Sequence, residues 1–180
     1  MLGIPEVGAL LDNPPSLTLE VEVRGGTPEA TTVQRKTVTR TSERIHVRFA
    51  GNGLEWLFVR NPIDRRRMSA TLVEHRRRTL VEYDESELRN GGLGRGWADV
   101  VALGFEAEHL SALRPSGKAQ ESAGFRFAET LPVNGAEGKV RELWWSDQAA
   151  VPLIMVLVDG ATRSQVQVRS IRRDVDSALL

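Results

Sequence analysis

The sequence contains no cysteine, which excludes disulfides, thiolate zinc sites and a cysteine nucleophile. The same absence leaves cytoplasm and periplasm both open. A dominant charge is also lacking: 24 lysines and arginines balance 24 aspartates and glutamates, so no global field draws the chain toward nucleic acid or an anionic membrane. Histidine is scarce. His46, His75 and His109 fall in a strand, a turn and a helix, and none forms a His-x-His pair for a metal. No long apolar run occurs, since the longest, Val151 to Val158, is well short of the ~20 residues of a membrane-spanning helix. Met1 to Asp12 carry no lysine or arginine and do not read as an intact secretory signal, although a chain whose signal had been removed would look the same.

What is present is periodicity of two, in a chain whose 180 residues and 41% hydrophobic content suit one sizeable core, predicting a single domain over 1–180. Leu17, Leu19, Val21 and Val23 alternate with polar residues, as in a strand with one dry face. A polar strand over 32–41 is predicted at an edge or facing water on both sides. Ile45, Val47 and Phe49 alternate with His46 and Arg48, and Gly51, Asn52 and Gly53 then turn the chain into a strand from Leu54 to Val59. Further strands follow over 68–74 and 79–83. Near Asp84 the pattern changes. Asp84 with Glu87 three places on is a capping box, and Asn90 and Gly91 are a helix stop. Trp97, Val100 and Val101 recur at helical spacing as far as Gly104, and a second short helix is predicted over 106–113, ended by Pro115. The glycines at 91, 92, 94 and 96 suit either a hinge or a tolerant loop. Strands then return over 123–130, 140–146, 151–159 and 164–171.

Strands, then helices, then strands, without βαβ alternation, predict an α+β fold that is mainly β: a strongly curved antiparallel sheet, or half-barrel, with a helical insert at about 84–114 against its concave face. Leu54 to Val59 and Val151 to Val158 are apolar on both faces and need cover on two sides, by a helix or by a ligand. Candidate ligand-lining residues are therefore Trp56, Phe58, Phe125, Phe127 and Trp145 on strands, with Trp97, Val100, Val101 and Leu103 on the underside of the insert. Ordinary core packing is the commoner use of such side chains.

Catalytic and cofactor motifs are thin, and neither an enzyme nor a cofactor or metal is predicted. Gly91 to Gly96 is not entered directly by an apolar strand and lacks the Lys-Ser/Thr of a phosphate loop. Asp84, Glu85, Glu87, Glu106 and Glu108 sit where first turns of helices favour negative charge. Ser69, Ser86 and Ser146 lack the Gly-x-Ser-x-Gly elbow of hydrolases. Arg65 to Arg67 and Arg76 to Arg78 flank one strand and so mark its opposite ends. Each triplet suits a solvated turn or a lipid headgroup, which leaves a peripheral membrane contact open, while no basic and aromatic interleaving supports nucleic-acid binding.

Toward the end of the chain, Leu143, Trp144, Trp145, Ser146 and Asp147 precede Pro152 in an apolar strand. Val158, Asp159 and Gly160, then Val168 to Ile171, and finally Asp174 to Leu180 follow. In order and spacing these resemble the closing hairpins of the LolA/LolB-like lipoprotein-carrier superfamily. Leu72 to His75 followed by Thr79 to Asp84 is similar to that family's central hairpin, with an arginine-rich turn in place of its Asp-Gly. The resemblance implies a half-barrel whose concave face, under a helical lid, holds a lipid, a lipoprotein acyl chain or another hydrophobic ligand without catalysis, in the bacterial periplasm. The partner would be a hydrophobic ligand or a lipidated protein. The alternative is an envelope interaction or scaffold module whose core is filled by its own side chains.

Overall fold

The computed structural model describes residues 11–27, 30–91, 96–105, 109–110, 113–131 and 140–175. The described strands join one open antiparallel sheet of eleven. They are β1 (Leu17–Thr27), β2 (Ala30–Arg40), β3 (Arg44–Phe49), β4 (Leu54–Arg60), β5 (Met68–Glu74), β6 (Thr79–Tyr83), β7 (Arg114–Ser122), β8 (Phe125–Leu131), β9 (Val140–Ser146), β10 (Val151–Asp159) and β11 (Thr162–Arg172). Two short helices, α1 (Glu85–Asn90) and α2 (Trp97–Val101), lie between β6 and β7. The order across the sheet is β6-β5-β4-β3-β2-β1-β11-β10-β9-β8-β7. Consecutive strands are neighbours everywhere except at β6 and β7, which form opposite edges. The insert therefore has to travel from one edge of the sheet to the other, and among its described residues Leu88, Trp97, Val101, Leu103, Phe105 and Leu110 are buried.

The first helix forms where the capping chemistry predicts. Asp84 accepts the backbone N–H of Glu87 at 2.9 Å, and Glu87 accepts that of Asp84 at 2.9 Å, so two otherwise unpaired donors at the start of α1 are satisfied. Leu88 is the buried residue of that turn. The second predicted helix, over 106–113, falls largely outside the described residues, within which His109 and Leu110 form a single 3₁₀ turn. Part of the glycine connector, 92–95, lies outside them too.

Two readings of the sequence are corrected. The first concerns β2, which is interior and hydrogen-bonded to β1 and β3 rather than placed at an edge. Its first half is exposed, as its polar residues require, but Val38, Thr39 and Arg40 are buried. The second concerns β7, which the alternation of apolar residues does not reveal. Arg114 to Ser122 contains Pro115 and Gly117 and hardly any burial, which is tolerable because an edge strand has one row of partners to satisfy. A register shift between Pro115 and Ala119 and a φ of 94° at Gly117 absorb the irregularity. β7 turns into β8 through Ala123 and Gly124, both at positive φ, the conformation of a two-residue hairpin of the primed type.

Register explains the core. Ile171, Leu19, Val38, Val47, Trp56, Leu72 and Val81 lie directly opposite one another in turn, from β11 through β1 to β6. The row is buried at Leu19 and Val38, half-buried at Trp56 and Leu72, and 37% exposed at Val81 on the edge. A neighbouring row runs through Leu17, Arg40, Ile45, Phe58, Ala70 and Tyr83. Each fully buried Leu, Val or Phe contributes about 1.5–3 kcal/mol relative to exposure. Pro152 is accommodated because pairing of β10 with β11 starts only at Ile154, where a missing N–H no longer matters. On the other side of β1, Glu22 is buried and receives Arg24 at 2.7 Å, Arg35 at 3.2 Å and Arg169 at 2.8 Å, and these bonds hold its carboxyl down to about 2.

Candidate functional site

A cavity of about 250 Å³ lies between α2 and the strands β2 to β4. Val38 and Lys36 on β2, Val47 and Phe49 on β3, and Trp56 and Phe58 on β4 form its floor. These six share one face because cross-strand partners point the same way: Lys36 opposite Phe49, Val38 opposite Val47, and Val47 opposite Trp56. The roof comes from Val100 on α2 and from the turn that follows, Leu103 and Gly104, with Asp99 beside them. Leu103 and Gly104 both have positive φ, at 58° and 90°, so the chain bends sharply away as soon as α2 ends. Trp56 stacks on Phe58 at 5.8 Å and 15° and meets Tyr83 at 5.4 Å, which makes an aromatic wall continuous with the open edge of the sheet.

The insert is held by two buried arginines, Arg40 and Arg60, whose burial no local pattern in the sequence marks. Arg40 is 1% exposed and donates to the carbonyls of Val101 at 2.8 Å, Ala150 at 3.1 Å, Pro15 at 3.3 Å, and Ala149. It thereby fastens the last residue of α2 to the turn between β9 and β10. Burial pulls its guanidinium down to about 9, which leaves it charged at neutral pH. Arg60 donates to the carbonyls of Ser42, Arg65 and Asp12, pairs with the Asp12 carboxylate at 2.9 Å, and lies over the Trp97 ring at 5.2 Å. The Trp97 Nε1 is buried and has no hydrogen-bond partner among the described residues.

The candidate lining residues therefore divide. Trp56, Phe58, Val100 and Leu103 converge on the cavity. Trp97, Val101, Phe125, Phe127 and Trp145 are buried in the hydrophobic core away from it, a core to which the lining residues Phe58 and Leu103 also belong. There Phe105 meets Trp145 at 6.3 Å, Phe125 lies under Arg173 at 4.6 Å, and the Trp145 Nε1 donates to Asp147 at 3.0 Å. Val38, Val47, Phe49 and Lys36 line the cavity without having been singled out. The alternation of Val47 and Phe49 already marked the dry face of β3. Lys36 and Val38 were hidden in a segment that reads as polar.

On the outer face, pairing of β3, β4 and β5 brings together residues that look unrelated in sequence. Glu55 contacts His46 at 2.8 Å, His75 at 3.1 Å and Arg48 at 3.1 Å. Burial pushes its carboxyl up, but the two histidines and Arg48 outweigh this and hold it below the usual value. Among the described residues, no group of His, Asp and Glu is placed to hold a metal. A larger, open depression of about 510 Å³ lies beside the loop after β4, with Arg60, Arg67, Asp84 and Ser86 in its lining. The arginine triplets sit at opposite ends of β5, where Arg65 pairs with Glu43, Arg67 with Asp64 and Glu85, and Arg77 with Glu74. Among the described residues, no helix is long and apolar enough to cross a membrane.

Solved structures share this architecture at low sequence identity. A chain of the MucA/MucB complex of Pseudomonas aeruginosa aligns with a TM-score of 0.53 at 15% identity, over 98% of this chain and 59% of that one. The present chain thus spans little more than half the length of that neighbour. A DUF1329 family protein from Desulfovibrio piger gives 0.48 at 9% identity, over 98% and 92% of the two chains. A LolA superfamily protein from Nitrosomonas europaea gives 0.38 at 11%, over 99% and 97%. The likeness is one of fold. No protein-family model and no curated protein matches the sequence.

Proposed function

We propose that this protein is a non-catalytic carrier or sensor that takes up an acyl chain or another hydrophobic ligand between its sheet and α2. The observation that supports this reading is the apolar cavity under the insert, where Val38, Val47, Trp56, Phe58, Val100 and Leu103 face a space that, among the described residues, no side chain fills. Its setting is the bacterial periplasm, with the cytoplasm as the alternative. That assignment rests on the resemblance of residues 72–84 and 143–180 to lipoprotein carriers and on the fold shared with the MucA/MucB chain. The partner is a lipid or a lipidated protein. At about 250 Å³ the cavity is smaller than the ≈ 300–1,000 Å³ of drug-sized ligand sites, which favours the end of one chain over a whole lipid.

A second reading, an interaction module with a self-filled core, is favoured by the burial of Trp97, Phe127 and Trp145 in close-packed surroundings. The neighbour in the MucA/MucB complex is itself bound to a protein. Native mass spectrometry and organic extraction of the purified protein separate the two readings. Co-purifying lipid, lost when the cavity is narrowed by Val100→Phe, is expected for a carrier. Lipid-free protein recovered with a crosslinked protein partner sinks the carrier reading.

A further inference from the structure

The cavity floor has one conspicuous interruption. Lys36 stands in register between Val21 on β1 and Phe49 on β3, at a position where the row would otherwise continue apolar. Its side chain is half-buried and lines the cavity, and its ammonium lies 6.0 Å from the centre of the Phe49 ring. Among the described residues, Lys36 meets this ring and no carboxylate. Arg40, four residues further along the same face, differs, because its donors are spent on the carbonyls of Pro15, Val101, Ala149 and Ala150. Asp99, the acidic residue in the lining, is engaged in an interaction of its own. Burial lowers the Lys36 pKa, the sign of an ammonium that has lost water without gaining an anion.

A cation at the margin of an apolar pocket selects ligands by charge as well as by length. We infer that the ligand is an amphiphile with one short chain in the cavity and an anionic head at Lys36. The inference rests on the carrier reading above and adds the class of ligand to it. A neutral chain of equal length would leave the Lys36 ammonium as poorly solvated as before, and a cationic head would be repelled.

The test compares octanoate with octan-1-ol, followed by chemical-shift titration of the intact, isotope-labelled protein. Octanoate is expected to bind about tenfold more tightly, the usual scale for one charge-assisted hydrogen bond. Lys36→Met is expected to bring the two ligands level while keeping the binding of octan-1-ol and the melting temperature. Should that variant fail to fold, the wild-type comparison and Lys36→Gln still decide the matter. Equal binding of the two ligands by the wild type overturns the inference and leaves the carrier reading standing. So does a preference for octanoate that survives loss of Lys36. Failure of both ligands to bind overturns the carrier reading itself.

Discussion

The insert is bounded on its two sides by different kinds of surface. Toward β8 to β10, Phe105 and Trp145 touch, Val101 is tied through Arg40 to Ala149 and Ala150, and the space is filled. Toward β2 to β4, Val100 and Leu103 stand off from Val47, Trp56 and Phe58, and a cavity remains. Both sides use valine, leucine and aromatic residues, so composition does not separate core from site. What differs is the backbone that carries them. The filled side is fixed by a charged side chain with buried carbonyl partners. The open side is roofed by a five-residue helix and a turn at positive φ that carries the chain away from the sheet.

This difference is best probed by truncation on each side. Trp145→Ala empties part of the filled side and is expected to cost about 3–5 kcal/mol in urea denaturation. Arg40→Met orphans buried carbonyls and is expected to cost roughly 3 kcal/mol, with hydrogen exchange of the α2 amides accelerated more than that of β1. Trp56→Ala, on the open side, is expected to cost about 1 kcal/mol, because Trp56 is only partly buried, while weakening acyl binding about tenfold. Equal losses of stability for Trp145→Ala and Trp56→Ala would erase the distinction between the two sides.

Glu22 supplies a control that belongs to neither side. Its folded-state carboxyl is depressed from 4.5 to about 2, chiefly by Arg169 and Arg24. A depressed carboxyl contributes stability that is fully present above the unfolded value and is lost as pH falls through the folded one. Stability is therefore expected to decline between pH 4.5 and about 2, with a shallower slope in Glu22→Gln. A slope that the substitution leaves unchanged would assign acid sensitivity to other carboxylates.

Much of the sheet was legible because alternation of apolar residues reports a half-buried strand directly, as it does for Leu17 to Val23 and Ile45 to Phe49. The cap of α1 was legible for an equally local reason, since Asp84 and Glu87 satisfy each other's backbone. β7 was not, because an edge strand needs no apolar face, and Pro115 with Gly117 then imitates a loop. Nor was the burial of Arg40 and Arg60, which depends on carbonyls from residues distant in sequence. The same limit applied to the candidate site. Trp56, Phe58, Val100 and Leu103 could be proposed as lining, but a half-apolar strand does not say whether Trp145 or Trp56 has a neighbour above it. Lys36 escaped notice because a lysine in a polar-looking strand carries no mark of the apolar row it interrupts.

The central claim is that the space between α2 and β2 to β4 is a binding site and not an accident of packing. It is tested most directly by titrating the protein with a fluorescent fatty acid, alongside Val100→Phe, which fills that space. Saturable uptake of one probe per chain is expected for the wild type, and its loss in a variant whose melting temperature changes by no more than a few degrees. Uptake that does not saturate, or that persists unchanged when the cavity is filled, would contradict it.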